Sequence, residues 1–337
     1  MDLERHEWIS QTKETAIDPN REIVDAHHHL WNRGGSRYLS EQLHIDTSST
    51  HNITKTVFVE CKANYLSKEL GDMRSLGETK FVASEAKKLR EISNTTIEAI
   101  IGFVDMSLGE AVEDLIEMHV EAGNGLFRGI RHATAWSEDV NIGNSHTNPS
   151  ESIMMTPEFV KGVQTLADSG YSFDAWMYFD QLDELGELAK RAPQATIILN
   201  HLGGPLKIGK WNTRFKQVDA QWQKSIMALS KLPNVYLKLG GIGMDNYFNT
   251  GWASMDRPPS SEEVAVFWRD RISRCIDYFS PKRCMFESNY PVDRQTLPYA
   301  VLWNAFQIIA SEYSNNEQEQ LFSNTAKTVY KIDERET

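Results

Sequence analysis

Short apolar or β-branched runs alternate with longer amphipathic stretches along most of this chain. Eight such runs read as strands, at 23–29, 54–60, 97–105, 127–132, 172–178, 195–201, 234–241 and 283–290. Between them, apolar residues recur at helical spacing. The expected helices are a charged stretch ending near 91, then 108–122, 159–166, 182–191, 220–232 and 261–279, with 298–312 and 317–330 closing the chain. Ala111, Leu115, Met118 and Ala122 form the apolar stripe of one, and Ser260 or Ser261 is the expected N-cap of another. Pro291 stops the last strand. Two long segments, 133–157 and 242–260, lack either period and read as loops over a site. Arg33-Gly34-Gly35-Ser36 reads as flexible. Residues 1–20 read as a short helix and a lead-in that covers the barrel bottom or a neighbour.

Eight strands separated by helices predict a (β/α)8 TIM barrel, somewhat distorted, as a single domain over 1–337 with 1–20 as an N-terminal extension. A doubly wound nucleotide-binding sheet is disfavoured, because no GxGxxG or Walker A loop follows any strand. A formal charge of −12 argues against nucleic acid or an anionic membrane as partner. A small-molecule substrate fits, and a homo-oligomer stays open. The three cysteines, Cys61, Cys275 and Cys284, match no zinc or redox spacing and read as reduced thiols of a cytoplasmic protein. The charged N-terminus offers no apolar leader segment, and no stretch has the length of a membrane span.

In such a barrel chemistry sits at the C-terminal ends of the strands. Polar residues collect there. Alternation places Asp25, His27 and His29 on one side of the first strand and His28 on the other. Two imidazoles at that spacing can reach one metal ion. Glu60, Asp105, Arg131, His132 and His201 end later strands, Lys238 lies in the seventh, and Glu287 and Asn289 share a face of the eighth.

The stretches VDAHHHLWN, VFVEC, FRGIRHATAW, FDAWMY, ILNHLGGP, VYLKLGG and RCMFESNYPVD resemble the amidohydrolase superfamily. They are most similar to its amidohydrolase-related TIM-barrel hydrolases, which include sugar lactonases and pyrone-dicarboxylate lactonases. The resemblance runs from about His6 to Ile332. It implies hydrolysis of a lactone or ester, with one divalent metal (zinc or manganese) in some relatives and none in others. Members usually carry Asp in the strand-eight box, as metal ligand and base. Here that position is Asn289, as is common in the subgroup with a Met-Phe-Glu-Ser-Asn box. A neutral amide cannot act as a base and is a poor ligand. Many relatives also have Asp where this chain has Asn200, which alternation turns away from His201.

The resulting expectations are specific. His27, His29 and His201 are metal ligands or donors to a carbonyl. His201, Glu287, Asn289 and Glu60 are the catalytic candidates, with Glu287 or Glu60 supplying the missing carboxylate. Arg131 and His132 bind a carboxylate or polarise a carbonyl, and Arg131 or Lys238 stabilises an oxyanion. Trp136, Trp176 and Tyr178 line the pocket, with Tyr247 and Trp252 as further candidates. His146 is exposed, in a loop that can act as a lid. No Gly-x-Ser-x-Gly elbow is present, so water is the expected nucleophile. Competing readings are a metal-dependent decarboxylase on the same barrel and a weakly catalytic ligand-binding barrel.

Overall fold

The computed structural model describes residues 3–332. Eight strands form one sheet: β1 (Glu22–His28), β2 (Asn52–Val59), β3 (Thr96–Gly102), β4 (Phe127–Arg131), β5 (Ser172–Ala175), β6 (Ile197–Leu199), β7 (Val235–Leu239) and β8 (Cys284–Phe286). Neighbours in space are neighbours in sequence, and every pairing is parallel. The ends meet beyond β8. Asn289 N–H donates to the His27 carbonyl at 2.8 Å, and His29 N–H to the Tyr290 carbonyl at 2.7 Å. The sheet is therefore a (β/α)8 barrel, as expected.

Parallel strands are buried on both faces, and two apolar clusters follow from that. The outer cluster joins residues such as Ile23, Phe58, Ile100, Phe173 and Leu237 to the surrounding helices. The inner one joins Val24, Ala26, Val57, Val59, Ala99, Ile101, Ile198 and Met285 to Ala326, Val329, Tyr330 and Ile332. Residues 326–332 thus close the N-terminal mouth of the barrel. Helices start where side chains meet the orphan amides of the first turn. Thr156 caps Pro157–Asp168, and Ser260 with Glu263 forms a capping box for Ser261–Phe279.

Several expectations are corrected. Strands β5 to β8 are shorter than their apolar runs, because the chain turns into loops that shape the site. Strand β3 stops at Gly102, leaving Asp105 to cap a turn by accepting from Ser107 N–H. The Gly34-Gly35 segment is not a flexible loop. It is the two-residue turn of a hairpin pairing Trp31–Arg33 with Ser36–Tyr38, with φ of +58° and +77° at its glycines. The N-terminal helix Leu3–Ile9 does not cover the barrel bottom. It leads into contacts with the loop after β7, through Trp8 Nε1 to Met255 O (2.8 Å) and Thr12 Oγ1 to Pro258 O (2.8 Å). No helix among the described residues is long and apolar enough to cross a membrane.

Candidate active site

Strand β1 carries its histidines past a register irregularity between Asp25 and His28. This breaks strict alternation and corrects one expectation. Asp25 does not face the site with His27. Its carboxylate accepts from Ser288 N–H (2.8 Å) and from the Tyr299 hydroxyl (3.0 Å) of an outer helix, and burial raises its pKa to about 6. His28 packs on Phe58 and bonds Thr56 Oγ1 at 3.0 Å, a structural position as expected. His27 and His29 meet at the mouth, with their Nε2 atoms 3.2 Å apart.

Glu287 lies among the histidines and is fully buried. Its Oε1 accepts from His201 Nδ1 (2.8 Å) and His201 N–H (3.1 Å), and its Oε2 is 2.8 Å from His27 Nδ1. His201 reaches it because the chain turns through left-handed residues at His201 and Leu202. Strand β7 ends in Gly240-Gly241 to make room. A Cβ at Gly240 would stand 2.3 Å from Glu287 Cγ, and one at Gly241 would stand 2.4 Å from His201 Nδ1. Burial holds the His201 imidazole below its ordinary pKa, with Glu287 opposing. His27 lies well below the ordinary range through burial, then Lys238 and the neighbouring histidines. Both rings are neutral at pH 7.

The donors and acceptors around His27 do not balance. His29 Nδ1 donates to Val59 O at 2.7 Å, so its Nε2 is a lone pair. A proton on His27 Nε2 serves that lone pair but sets the Nδ1 lone pair against Glu287 Oε2, a buried oxygen with no hydrogen-bond partner, with Lys238 Nζ at 3.4 Å from Nδ1 as partial relief. A proton on Nδ1 instead sets two Nε2 lone pairs together, with Arg131 Nη1 at 3.4 Å as partial relief. Either neutral tautomer leaves one acceptor pair unmatched, which a bound cation relieves. Ligand atoms of His27, His201 and Glu287 all lie within 4.8 Å of one another. These residues, with His29 beside them, fit one divalent metal ion of the imidazole–carboxylate type.

Two buried ion pairs flank the group. Glu60 accepts from Arg131 Nε at 2.7 Å and bonds His146 Nε2 of the 133–157 loop at 2.8 Å. Burial alone would raise its carboxyl, but His146 and Arg131 outweigh it and hold the pKa at about 2. Arg131 Nη2 also donates to the Glu60 carbonyl. Inside the barrel, Lys238 Nζ donates to Asp174 at 2.8 Å and lies 3.4 Å from His27 Nδ1. Asp174 also accepts from Asn200 Nδ2 (2.9 Å) and the Tyr330 hydroxyl (3.0 Å). Asn200 thus points into the barrel, beneath the histidines. Lys238 is fully buried and paired, a support under His27 rather than a group lining the pocket.

Trp176 stands edge-on to His201 with ring centres 4.8 Å apart, and Tyr178 and Tyr247 continue that wall. Other candidates are not brought in. His132 accepts from Met106 N–H at 3.2 Å and packs between Phe103 and Phe159 of an outer helix. Trp252 packs on Phe267 of Ser261–Phe279, away from this wall. For Trp136 the structure shows a backbone bond from its N–H to Gln181 Oε1 (3.0 Å). Asn289, in the left-handed region at φ +54°, donates to Asp293 at 2.8 Å rather than to the histidines. His146 is exposed as expected, and its Nε2 reaches back to Glu60; the signal for that bond was only the length of its loop. Asp174 was missed although it alternates with Trp176 and Tyr178 on strand five.

The family described as Amidohydrolase matches residues 24–332. A protein of Sinorhizobium fredii known only as the uncharacterized protein y4mH is 31% identical over 330 residues, 92% of this chain and 98% of that one. An L-fucono-1,5-lactonase of Burkholderia multivorans is 24% identical over 242 residues, 71% of this chain and 73% of its own. A crystal structure of an amidohydrolase from Burkholderia multivorans with bound zinc superposes with a TM-score of 0.71 at 22% identity, over 92% of this chain and 99% of that one.

Proposed function

The chain belongs to the amidohydrolase family, and from that membership we propose that this enzyme hydrolyses a small lactone at the His27–His201–Glu287 group. The observation that carries the reading is Glu287, a buried carboxylate bonded to His201 Nδ1 at 2.8 Å. That bond fixes the tautomer and leaves His201 Nε2 as a proton acceptor. Because burial keeps this imidazole neutral, it can take a proton from water near pH 7. The water then attacks the ring carbonyl. Arg131 Nη1, the guanidinium nitrogen not bonded to Glu60, meets the developing oxyanion. The tetrahedral adduct opens when the ring oxygen leaves and takes the proton back from His201. Trp176, Tyr178 and Tyr247 exclude water from the ring's flank. His27 and Glu287, with His29, would hold a divalent ion, whose chemistry is to polarise the carbonyl and acidify water, and His201 Nε2 stays free as the base. The same roles supply the carboxylate that Asn289 cannot, so a merely ligand-binding barrel is disfavoured.

The test is proton release at constant pH over a panel of 1,4- and 1,5-lactones, run beside CO₂ release from aromatic and dienoic acids. Proton release with ring opening supports the reading. CO₂ without lactone turnover supports a decarboxylase instead.

A further inference from the structure

We propose that Asp293 is a positioning residue that holds the loops after β7 and β8 at the spacing the His201–Glu287 bond requires, an inference that rests on the lactonase reading for its rate measurement. Asp293 is fully buried. Its Oδ2 accepts from Gly243 N–H at 2.8 Å, and its Oδ1 accepts from Asn289 Nδ2 at 2.8 Å. Gly243 lies two residues past Gly241, and Asn289 lies two residues past Glu287. One carboxylate therefore ties the segment packed on His201 to the segment that carries its partner. Thr296 adds a second tether, its hydroxyl donating to the Gly243 carbonyl at 2.7 Å.

The loop after β7 passes the reacting pair on glycines, which offer no side chain to hold it and leave its backbone the most freedom to lose. Its place must be fixed through backbone groups, and at Gly243 both are taken. The N–H goes to Asp293 and the carbonyl to Thr296. The fit is close: a Cβ at Gly243 would stand 2.8 Å from Thr296 Oγ1 and 2.9 Å from Asp293 Cβ. On the other loop, Asn289 stands in the left-handed region and donates its N–H to the His27 carbonyl at 2.8 Å, so the tether reaches the first strand as well. This also gives the amide at 289 a purpose. An aspartate there would set one carboxylate against another, acceptor against acceptor. Both partners of Asp293 are neutral, so its role is geometric: two acceptors at a fixed separation. The pocket wall has its own anchor, since the Tyr247 carbonyl accepts from Lys207 N–H at 2.8 Å. Loss of Asp293 should therefore fall on the reacting pair rather than on substrate binding.

The experiment compares the full-length wild type with Asp293→Ala and Asp293→Asn. It reads kcat and KM for D-glucono-1,5-lactone, and the nitrogen NMR spectrum of isotope-labelled histidine rings in metal-free protein. Alanine removes both acceptors. Asparagine keeps one for Gly243 and offers a donor that the Asn289 amide can meet by turning over. A shift of about 1 Å in the reacting pair costs on the order of 100-fold, so Asp293→Ala should lose about that in kcat with KM within about threefold. Asp293→Asn should stay within about tenfold of the wild type. His201 should keep its Nδ1–H tautomer in the wild type and Asp293→Asn, and mix tautomers in Asp293→Ala. A folded Asp293→Ala protein with wild-type kcat, or with its loss in KM alone, overturns the proposal. So does an Asp293→Asn protein as impaired as Asp293→Ala. If Asp293→Ala does not fold, Thr296→Val takes its place in both measurements. Its expected kcat loss is about tenfold, the worth of one hydrogen bond, and an unchanged kcat overturns the proposal. If the wild type opens no lactone, the lactonase reading fails by itself. The histidine spectra then decide, and a His201 ring unchanged by the substitution overturns the positioning role.

Discussion

Replacing Asp174 by Asn should be among the most damaging single changes in the barrel, although Asp174 touches no pocket surface. Its carboxylate is fully buried and accepts from Lys238 Nζ at 2.8 Å, Asn200 Nδ2 at 2.9 Å and the Tyr330 hydroxyl at 3.0 Å. The substitution leaves the Lys238 ammonium buried without a counter-charge, which costs about 3–5 kcal/mol. An unfolding entropy of about 2.1 cal/mol/K per residue over 337 residues gives roughly 0.7 kcal/mol per kelvin. The melting temperature should therefore fall by about 4–7 °C. Removing the lysine as well, in Asp174→Asn with Lys238→Met, should recover more than half of that loss, because no unpaired charge remains. Activity should not recover, since Lys238 is 3.4 Å from His27 Nδ1, and a ring shift of about 1 Å costs on the order of 100-fold in rate. Calorimetry on the two singles and the double reads the stabilities, and lactone turnover reads the rates. A single Asp174→Asn variant as stable as the wild type, or a double variant equal to the sum of the singles, would refute the reasoning.

Other expectations follow from the same geometry. Gly241→Ala should abolish turnover, because its Cβ would sit 2.4 Å from His201 Nδ1 at a φ of +65°, and circular dichroism should show a folded barrel with no activity. Stability should fall on acidification. His119 and His132 are held at about pKa 4 mainly by burial, against an ordinary 6.5, so the unfolded chain binds more protons below pH 6.5 and their contribution is lost between there and about pH 4. Asp25, raised to about 6, Glu78, raised to about 8, and the raised Asp180 and Asp293 act oppositely, but His28, held at about 3, and the lowered His27, His29, His51 and His201 join the first pair and outnumber them. Urea midpoints from pH 7 to pH 4 should therefore decline, and a rise would contradict this sign. Protein purified without chelator should carry about one zinc or manganese per chain and lose activity on chelation, as read by elemental analysis.

Much of this architecture was legible in the pattern of apolar runs. Eight strands in sequence order, their polar ends, and the placing of His27, His201 and Glu287 together follow from alternation and barrel topology. What escaped was set by backbone irregularity and by pairing across the barrel. The register break after Asp25 sends its carboxylate to Tyr299, and period-two reasoning cannot see a bulge. Gly34-Gly35 carried a hairpin signal, but strands as short as Trp31–Arg33 give too little periodicity to support it. Lys238 and Arg131 were recognisable as strand-end cations. Their commitment to Asp174 and Glu60 depends on side chains brought together by closure of the sheet, not on local spacing. The left-handed turn at Asn289 likewise aims its amide at Asp293, away from the face that alternation assigned it.

The most direct test of the central claim compares wild type and Glu287→Gln for proton release from an uncharged 1,5-lactone at constant pH. Glutamine keeps the shape but can neither hold His201 in its tautomer as a carboxylate does nor supply the negative charge between the two imidazoles. Lactone opening by the wild type, and loss of about 1,000-fold or more in a folded Glu287→Gln protein, is the predicted result. Near-normal turnover by Glu287→Gln would contradict the assignment of this site as the seat of the chemistry.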